Sequence, residues 1–212
     1  MIPTFATVAF IVAGASMNVA LPSASDVLAD MAKQTIGLDT YEVPVTIHAS
    51  IRKGILSIPV ALGGERYFIA PDKEALQLGG VPAIAKAFSN IYASLGTPLT
   101  WPRTYDLKVV VPDHATPRPI YELRGTYKRA SSVDHILLDV EAGTYDLIQV
   151  RWFYRNGATI VMTVQEDSVG TFRLPRVENV DVTFPGYRGH ATIEYGAYAV
   201  NVAIPRSEFI NQ

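Results

Sequence analysis

The 212-residue chain contains no cysteine, so neither a disulfide framework nor a cysteine-ligated metal site can be built. The few histidines are dispersed, and no two have the spacing of a metal-binding motif. They are His48, His114, His135 and His190. No serine-nucleophile motif is present, and the glycine pairs have no lysine arranged for phosphate. We therefore predict a protein that is not an enzyme and that needs neither a metal nor a cofactor.

An excess of charge is also lacking. Eighteen Lys and Arg residues stand against 20 Asp and Glu residues, giving a formal net charge of −2 and a pI near 6.1, and no basic run exceeds two residues. A nucleic-acid partner would require a basic patch, so we predict none. With 49% hydrophobic residues, the chain is long enough to bury one core, and we expect a single domain.

Charged side chains are absent from the first 25 residues. Phe5–Ala13 is an apolar run of signal-peptide length, and Ser23 and Ser25 suit the small −3 and −1 positions of a cleavage site. We predict a signal peptide over 1–25, with a periplasmic or otherwise exported chain over 26–212 and no lipobox cysteine. The alternative is a buried or membrane-anchoring helix, although the run is short for a membrane span.

The segment Tyr145–Val164 is the most regular in the sequence. Asn156-Gly157 predicts a two-residue type I′ turn, which needs positive φ at both central positions. Alternation of period two then places apolar residues on one face of each arm: Ile148, Val150, Trp152 and Tyr154 on the first, and Ala158, Ile160, Met162 and Val164 on the second. A hairpin this apolar must be buried against another part of the protein.

The other elements follow from periodicity and turn residues. We predict helices over 27–37, capped by Ser25-Asp26, and over 81–95. Further strands are predicted over 41–52, 55–62, 65–70, 73–78, 105–111, 119–128, 134–141, 170–174, 177–184 and 189–204, with turns at Lys53-Gly54 and Gly63-Gly64. This is an α+β single domain: a strongly curled antiparallel sheet of about ten strands, forming an incomplete β-barrel with helices on its concave face.

Acidic residues near the hairpin have simple interpretations. Glu166-Asp167 follow its second arm and are interpreted as solvated turn charges. Asp134 and His135 are neighbours on a predicted strand, so their side chains are expected on opposite faces.

Aromatic and aliphatic residues on the concave face exceed what one substantial helix can cover. We therefore predict a ligand cavity lined by Phe68, Ile84, Phe88, Ile91, Tyr92, Trp101, Tyr121, Leu123, Ile148, Val150, Trp152, Tyr154, Ile160, Met162 and Val164. The alternative is that these residues form an ordinary core. Burial of even ~200 Å² of an acyl chain would contribute about 5 kcal/mol before the costs of binding.

Three stretches carry a family resemblance: GGERYFIAPDKEALQL (63–78), VDHILLDVEAGTYDLIQVRWFYRNG (133–157) and YGAYAVNVAIPRSEF (195–209). Together with the order of elements, they resemble the LolA/LolB and LppX-type lipoprotein and lipid carriers. The resemblance implies a hydrophobic cavity for acyl chains, with 81–95 as its lid and 148–164 as part of its wall. It also implies an arginine on an early strand that ties the lid, for which Arg52 and Arg66 are equally placed.

The leading hypothesis is therefore an exported soluble carrier that shields the acyl chain of a lipid or an acylated lipoprotein. A membrane donor complex and an outer-membrane acceptor would be its partners. The alternative is a non-transporting interaction or structural domain of the envelope with a filled core. A deep cavity would favour the first hypothesis, and a solid core the second.

Overall fold

A computed structural model describes residues 21–79, 97–114 and 116–209. Most of the predicted signal segment and the whole predicted helix 81–95 lie outside these residues. Helix α1 spans Ala24–Lys33, a one-turn helix spans Trp101–Thr104, and 3₁₀ turns span Pro98–Thr100 and Arg206–Phe209. Within the described ranges, no helix combines the length and apolar character needed to cross a membrane.

The strands form one antiparallel sheet. They are β1 Thr40–Lys53, β2 Leu56–Ile69, β3 Lys73–Leu78, β4 Tyr105–Val110, β5 Ile120–Tyr127, β6 Val133–Glu141, β7 Leu147–Tyr154, β8 Thr159–Val169, β9 Phe172–Phe184, β10 Tyr187–Tyr195 and β11 Ala199–Val200. The order is β3-β2-β1-β10-β9-β8-β7-β6-β5-β4, and β11 pairs with β1. The sheet is not closed into a barrel, which confirms the predicted fold class.

Helix α1 packs through its apolar side into the core. Val27, Leu28 and Met31 are buried there. A capping box begins the helix: the Asp26 amide donates to Ser23 Oγ (3.2 Å), and the Ser23 amide donates to Asp26 Oδ2 (3.2 Å). Helix α1 thus starts three residues before the predicted position. Cleavage after Ser25 would remove the cap, and the cleavage site stays a prediction.

The central hairpin is confirmed, but the predicted turn type is wrong. Gly157 has φ 80° whereas Asn156 is not in the positive-φ region. The Gly157 amide donates to the Tyr154 carbonyl (3.0 Å), and the Tyr154 amide donates to the Ala158 carbonyl (2.9 Å). This is a three-residue loop in which only glycine occupies the left-handed region. The loop pairs Trp152 with Ile160, so the predicted apolar faces of the two arms meet.

The Gly63-Gly64 pair does not form the predicted turn, because β2 runs without a break through both glycines. A Cβ on Gly64 would lie 1.9 Å from the Gln77 carbonyl oxygen of β3, whereas one on Gly63 would meet nothing within 4 Å. Gly64 therefore permits the close approach of two strands. Likewise, the predicted strands 170–174 and 177–184 form the single strand β9.

These two glycines provide a matched test of the strand assignment. We expect Gly64→Ala to lower the free energy of unfolding by about 1–3 kcal/mol, because the new methyl group collides with backbone. Gly63→Ala should be neutral or stabilising by up to about 1 kcal/mol, since it only restricts the unfolded chain. Urea denaturation measures both. Equal effects of the two substitutions would contradict the pairing of Gly64 with Leu78.

Candidate ligand cavity

A cavity of about 540 Å³ lies on the concave face of the sheet, bordered by α1, by the segment that leads into Trp101, and by strands β1, β2, β3, β7, β8 and β9. Its wall is mainly apolar. The aliphatic and aromatic residues include Met31, Ala32, Leu38, Tyr41, Phe68, Trp101, Leu147, Trp152, Ile160, Met162, Val164, Leu174 and Val180. Ile36 and Leu99 also line it and are 72% and 62% exposed, so they lie at its rim.

The structure brings six of the predicted residues to this wall: Phe68, Trp101, Trp152, Ile160, Met162 and Val164. Leu123 and Val150 are in the core, and Tyr121 and Tyr154 pack against it, but none of the four lines the cavity. Ile84, Phe88, Ile91 and Tyr92 lie outside the described residues. Contact of any of these side chains with a ligand stays a prediction.

Ile148 is not on the wall, and Leu147 takes the place expected for it. A register shift separates the Asp139–Gln149 pair from the Val140–Leu147 pair. This irregularity breaks the alternation of β7 near its beginning. Leu147 therefore joins the apolar face that continues through Val150 and Trp152.

Arg66 forms a polar cluster in the wall. Its guanidinium donates to Glu74 Oε2 (2.8 Å) and to the Tyr195 hydroxyl (2.6 Å), and it lies 4.0 Å from Glu178 Oε1. The Tyr195 hydroxyl donates to Glu178 Oε2 (2.9 Å). The family resemblance left Arg52 and Arg66 as equal candidates for the arginine that ties the lid. Arg66 lines the cavity, whereas Arg52 is exposed near the tip of the β1–β2 hairpin.

Glu166 also lines the cavity, contrary to its interpretation as a solvated turn charge. A register shift between Gln165 and Glu166 turns this side chain inward. Its Oε2 atom is buried without a hydrogen-bond partner among the described residues. Burial, reinforced by the negative charge of Asp146, raises the pKa of Glu166 to about 7, and Arg173 opposes this increase.

Arg173 holds the β6–β7 loop near the Glu166 carboxylate through hydrogen bonds. Its guanidinium donates to Asp146 Oδ2 (2.6 Å) and to the Glu166 backbone carbonyl (3.3 Å). Gln34, just beyond α1, donates to Asp146 Oδ1 (2.9 Å) and to the Thr144 carbonyl (2.6 Å). Asp146 therefore joins the end of α1 to the sheet beside the cavity.

A second polar cluster lies on the opposite face of the sheet. Glu122 and Asp139 are cross-strand neighbours with side chains only 4% exposed. Arg151 donates to Glu122 Oε2 (2.5 Å) and Asp139 Oδ1 (3.1 Å), and His114 lies within 4.0 Å of both carboxylates. Burial raises the pKa of Glu122, and Arg151 opposes this change. The alternating pattern alone does not reveal this three-strand cluster.

The expectation that Asp134 and His135 point to opposite faces is wrong. Asp134 lies at a register shift in the β6–β7 pairing, and its carboxylate is 2.8 Å from His135 Nδ1. The ring of His135 stacks on Phe153 with centroids 4.5 Å apart. This bulge at the start of β6 brings the two neighbours together.

Comparison with solved structures identifies the fold. A LolA superfamily protein from Nitrosomonas europaea superposes with a TM-score of 0.60 at 11% identity, covering 90% of this chain and 99% of that one. The chain has a LolA-like fold. A DUF1329 family protein from Desulfovibrio piger gives a TM-score of 0.61 at 11% identity, with 89% and 96% of the two chains covered.

A putative outer membrane lipoprotein-sorting protein domain from Vibrio parahaemolyticus gives a TM-score of 0.59 at 9% identity, covering 88% of this chain and 97% of that one. No protein-family model matches the sequence, and the comparison with curated proteins gives no significant match. At these identities the solved structures establish the LolA-like fold of the chain.

Proposed function

We propose that this protein is an exported carrier that binds the acyl chains of a lipid or lipoprotein and shuttles them across the periplasm. The observation that supports this proposal is the 540 Å³ cavity with its mainly apolar wall. Its volume lies within the range of small-molecule binding pockets, about 300–1,000 Å³. A donor complex at one membrane and an acceptor at the outer membrane would load and unload the carrier.

The chemistry of the wall suits hydrocarbon. Met31, Met162 and the aliphatic residues around them offer contacts without directional requirements, so chains of different length can bind. The polar lining residues are fewer than the apolar ones and include Arg66 with Glu74 and Glu178, Glu166 with Arg173, and Lys33, Gln34, Thr35 and Thr97. These groups would face the polar end of the ligand. No covalent step is part of this proposal.

The alternative, an envelope interaction domain with a filled core, receives less support. A core packed to ordinary density leaves few voids larger than a water molecule, whereas this cavity could hold a chain. The names of two solved structures with this fold refer to the LolA superfamily and to outer membrane lipoprotein sorting. They agree with a carrier role and with export.

A substitution that fills the cavity tests the proposal better than a charge at Trp152, which is 3% exposed and belongs to the core. Ala32 lies on α1 at the cavity wall. We expect Ala32→Phe to reduce lipid occupancy at least fivefold, because the ring occupies ligand volume while adding no charge. Ala61→Phe, on an exposed position of β2, is the matched control and should load normally.

Occupancy is measured by native mass spectrometry of protein purified without detergent, followed by solvent extraction. Uptake of a neutral fluorescent dodecyl probe gives a second readout. Lipid released from wild type and Ala61→Phe but not from Ala32→Phe is the expected result. If no variant contains lipid or takes up the probe, the carrier role is wrong and the interaction domain becomes the better explanation.

A further inference from the structure

The tip of the β1–β2 hairpin exposes large apolar side chains. Lys53 pairs with Leu56, which leaves a two-residue loop whose first residue, Gly54, has φ 61°. Ile55 is 96% exposed, and Leu56 and Ile58 are 67% and 51% exposed. These three residues, with Tyr187 at 36% exposure on the adjoining β10, are called the apolar tip.

Basic residues border the apolar tip in sequence and in strand register: Lys53 is the cross-strand partner of Leu56. Arg52 and Lys53 end β1, and Arg188 is the cross-strand partner of Arg52 on β10. All three are exposed. No acidic residue occurs between Val43 and Gly64. The nearest acid on the neighbouring strand β9 is Asp181, which lies beside His190 (2.9 Å) two register positions away from Arg188.

We infer that the apolar tip docks onto the surface of an anionic lipid bilayer. Apolar side chains at the apex can enter the boundary between headgroups and acyl chains, while nearby basic residues remain at the headgroups. Tyr187, stacked on Phe184 with centroids 5.1 Å apart, has the amphipathic ring that favours this depth. The combination of exposed aliphatic residues with local positive charge favours a bilayer over a neutral protein surface.

The apolar tip lies outside the cavity, since none of its residues belongs to the wall. Membrane docking is therefore independent of the carrier proposal. An empty protein could dock, and a loaded protein could fail to dock. The two proposals are consequently tested by different measurements.

Vesicle flotation tests the inference. The protein is expressed from the full chain, and its N terminus is determined by mass spectrometry. Wild type should float with phosphatidylglycerol-containing vesicles and much less with phosphatidylcholine alone. We expect Ile55→Ser with Leu56→Ser to weaken binding roughly tenfold or more through lost apolar burial. Arg52→Gln with Lys53→Gln should weaken binding about fivefold per charge removed, and high salt should do the same.

Val111→Ser is the matched control, because Val111 is 75% exposed on a different loop and should float like wild type. Circular dichroism checks that every variant is folded. Unchanged flotation of the tip variants would overturn the inference. So would a tip-dependent dimer, detected by analytical ultracentrifugation, in a protein that binds no vesicles, because the occupant would then be a second copy of the chain.

Discussion

Replacing Arg151 with leucine is expected to lower the free energy of unfolding by about 3–5 kcal/mol at neutral pH. Arg151 is the basic residue that bonds to both Glu122 and Asp139, which face each other on β5 and β6. Both carboxylates are almost fully buried. Removal of the guanidinium leaves two like charges opposite each other in a region of low dielectric constant, an arrangement that is costly.

Arg124→Leu is the control, since Arg124 is exposed on β5, two residues from Glu122, and should change stability by less than about 0.5 kcal/mol. A triple variant, Glu122→Gln with Asp139→Asn and Arg151→Leu, should recover much of the loss because it removes the repelling charges. Chemical denaturation gives these values. A denaturation midpoint for Arg151→Leu equal to that of Arg124→Leu would contradict the structural role of this cluster.

The loss of stability in Arg151→Leu is also expected to depend on pH. Burial raises the pKa of the Glu122 carboxyl, and Arg151→Leu removes the positive charge that opposes this increase. A carboxyl group with a raised pKa binds more protons in the folded than in the unfolded state, so the destabilisation increases as pH rises above the ordinary carboxyl range, about 4. The difference between Arg151→Leu and wild type should therefore be smaller at acidic pH than at pH 8.

The sheet could be predicted from the sequence because its signal is local. Alternation in β1 placed Val43, Val45 and Ile51 on one face, and all three are buried. The type of turn at Asn156-Gly157 was harder to predict. Trp152 and Ile160 can be partners only across a loop with an odd number of residues, so the correct apolar faces already contradicted a two-residue turn. Register determines the turn here, and Asn156-Gly157 alone does not.

The Gly63-Gly64 prediction failed for a different reason. Glycine pairs are common in turns, but a glycine in a strand also allows a close approach of backbone. That approach depends on β3, which is not a sequence neighbour of Gly64. The pairing of Gly64 with both Val45 and Leu78 becomes visible only when the three strands are assembled.

The cavity was partly predictable, whereas its polar groups were not. The hydrophobic pattern indicated Trp152, Ile160, Met162 and Val164, which the structure places on the wall. Register shifts near Ile148 and Glu166 interrupt the alternation of period two, so the side-chain orientations predicted there were wrong. The sequence around Glu166 was ambiguous: Asp167 and Ser168 are common in turns, whereas no Gly, Pro or Asn lies between Val164 and Val169.

Replacing Glu166 with glutamine is expected to stabilise the protein at pH 8 by about 2–3 kcal/mol. Burial raises the pKa of Glu166 from about 4.5 to about 7 in the folded protein. The folded state therefore binds more protons than the unfolded state between these values, and wild type loses stability as pH rises through this window. Glutamine has nearly the shape of the protonated side chain and carries no charge at any pH.

The groups around Glu166 determine the size of this effect. Asp146 and Glu178 add negative charge, Arg173 adds positive charge, and the Leu147 amide donates to the carboxylate. We expect the two proteins to be equally stable near pH 4.5, to diverge between about pH 4.5 and 7, and to differ by a constant amount above that range. Asp167→Asn, at an exposed neighbour, should show no comparable divergence.

Denaturation of wild type and Glu166→Gln across this pH range measures the difference. A difference that is independent of pH would show that Glu166 is hydrated in the folded protein. An increasing difference would mean that the fold retains a carboxylate in an apolar cavity although a neutral side chain is more stable there. Such costly polar groups are typical of functional sites. Lipid occupancy of Glu166→Gln would then separate the two effects: reduced loading in a more stable protein would assign Glu166 to the ligand.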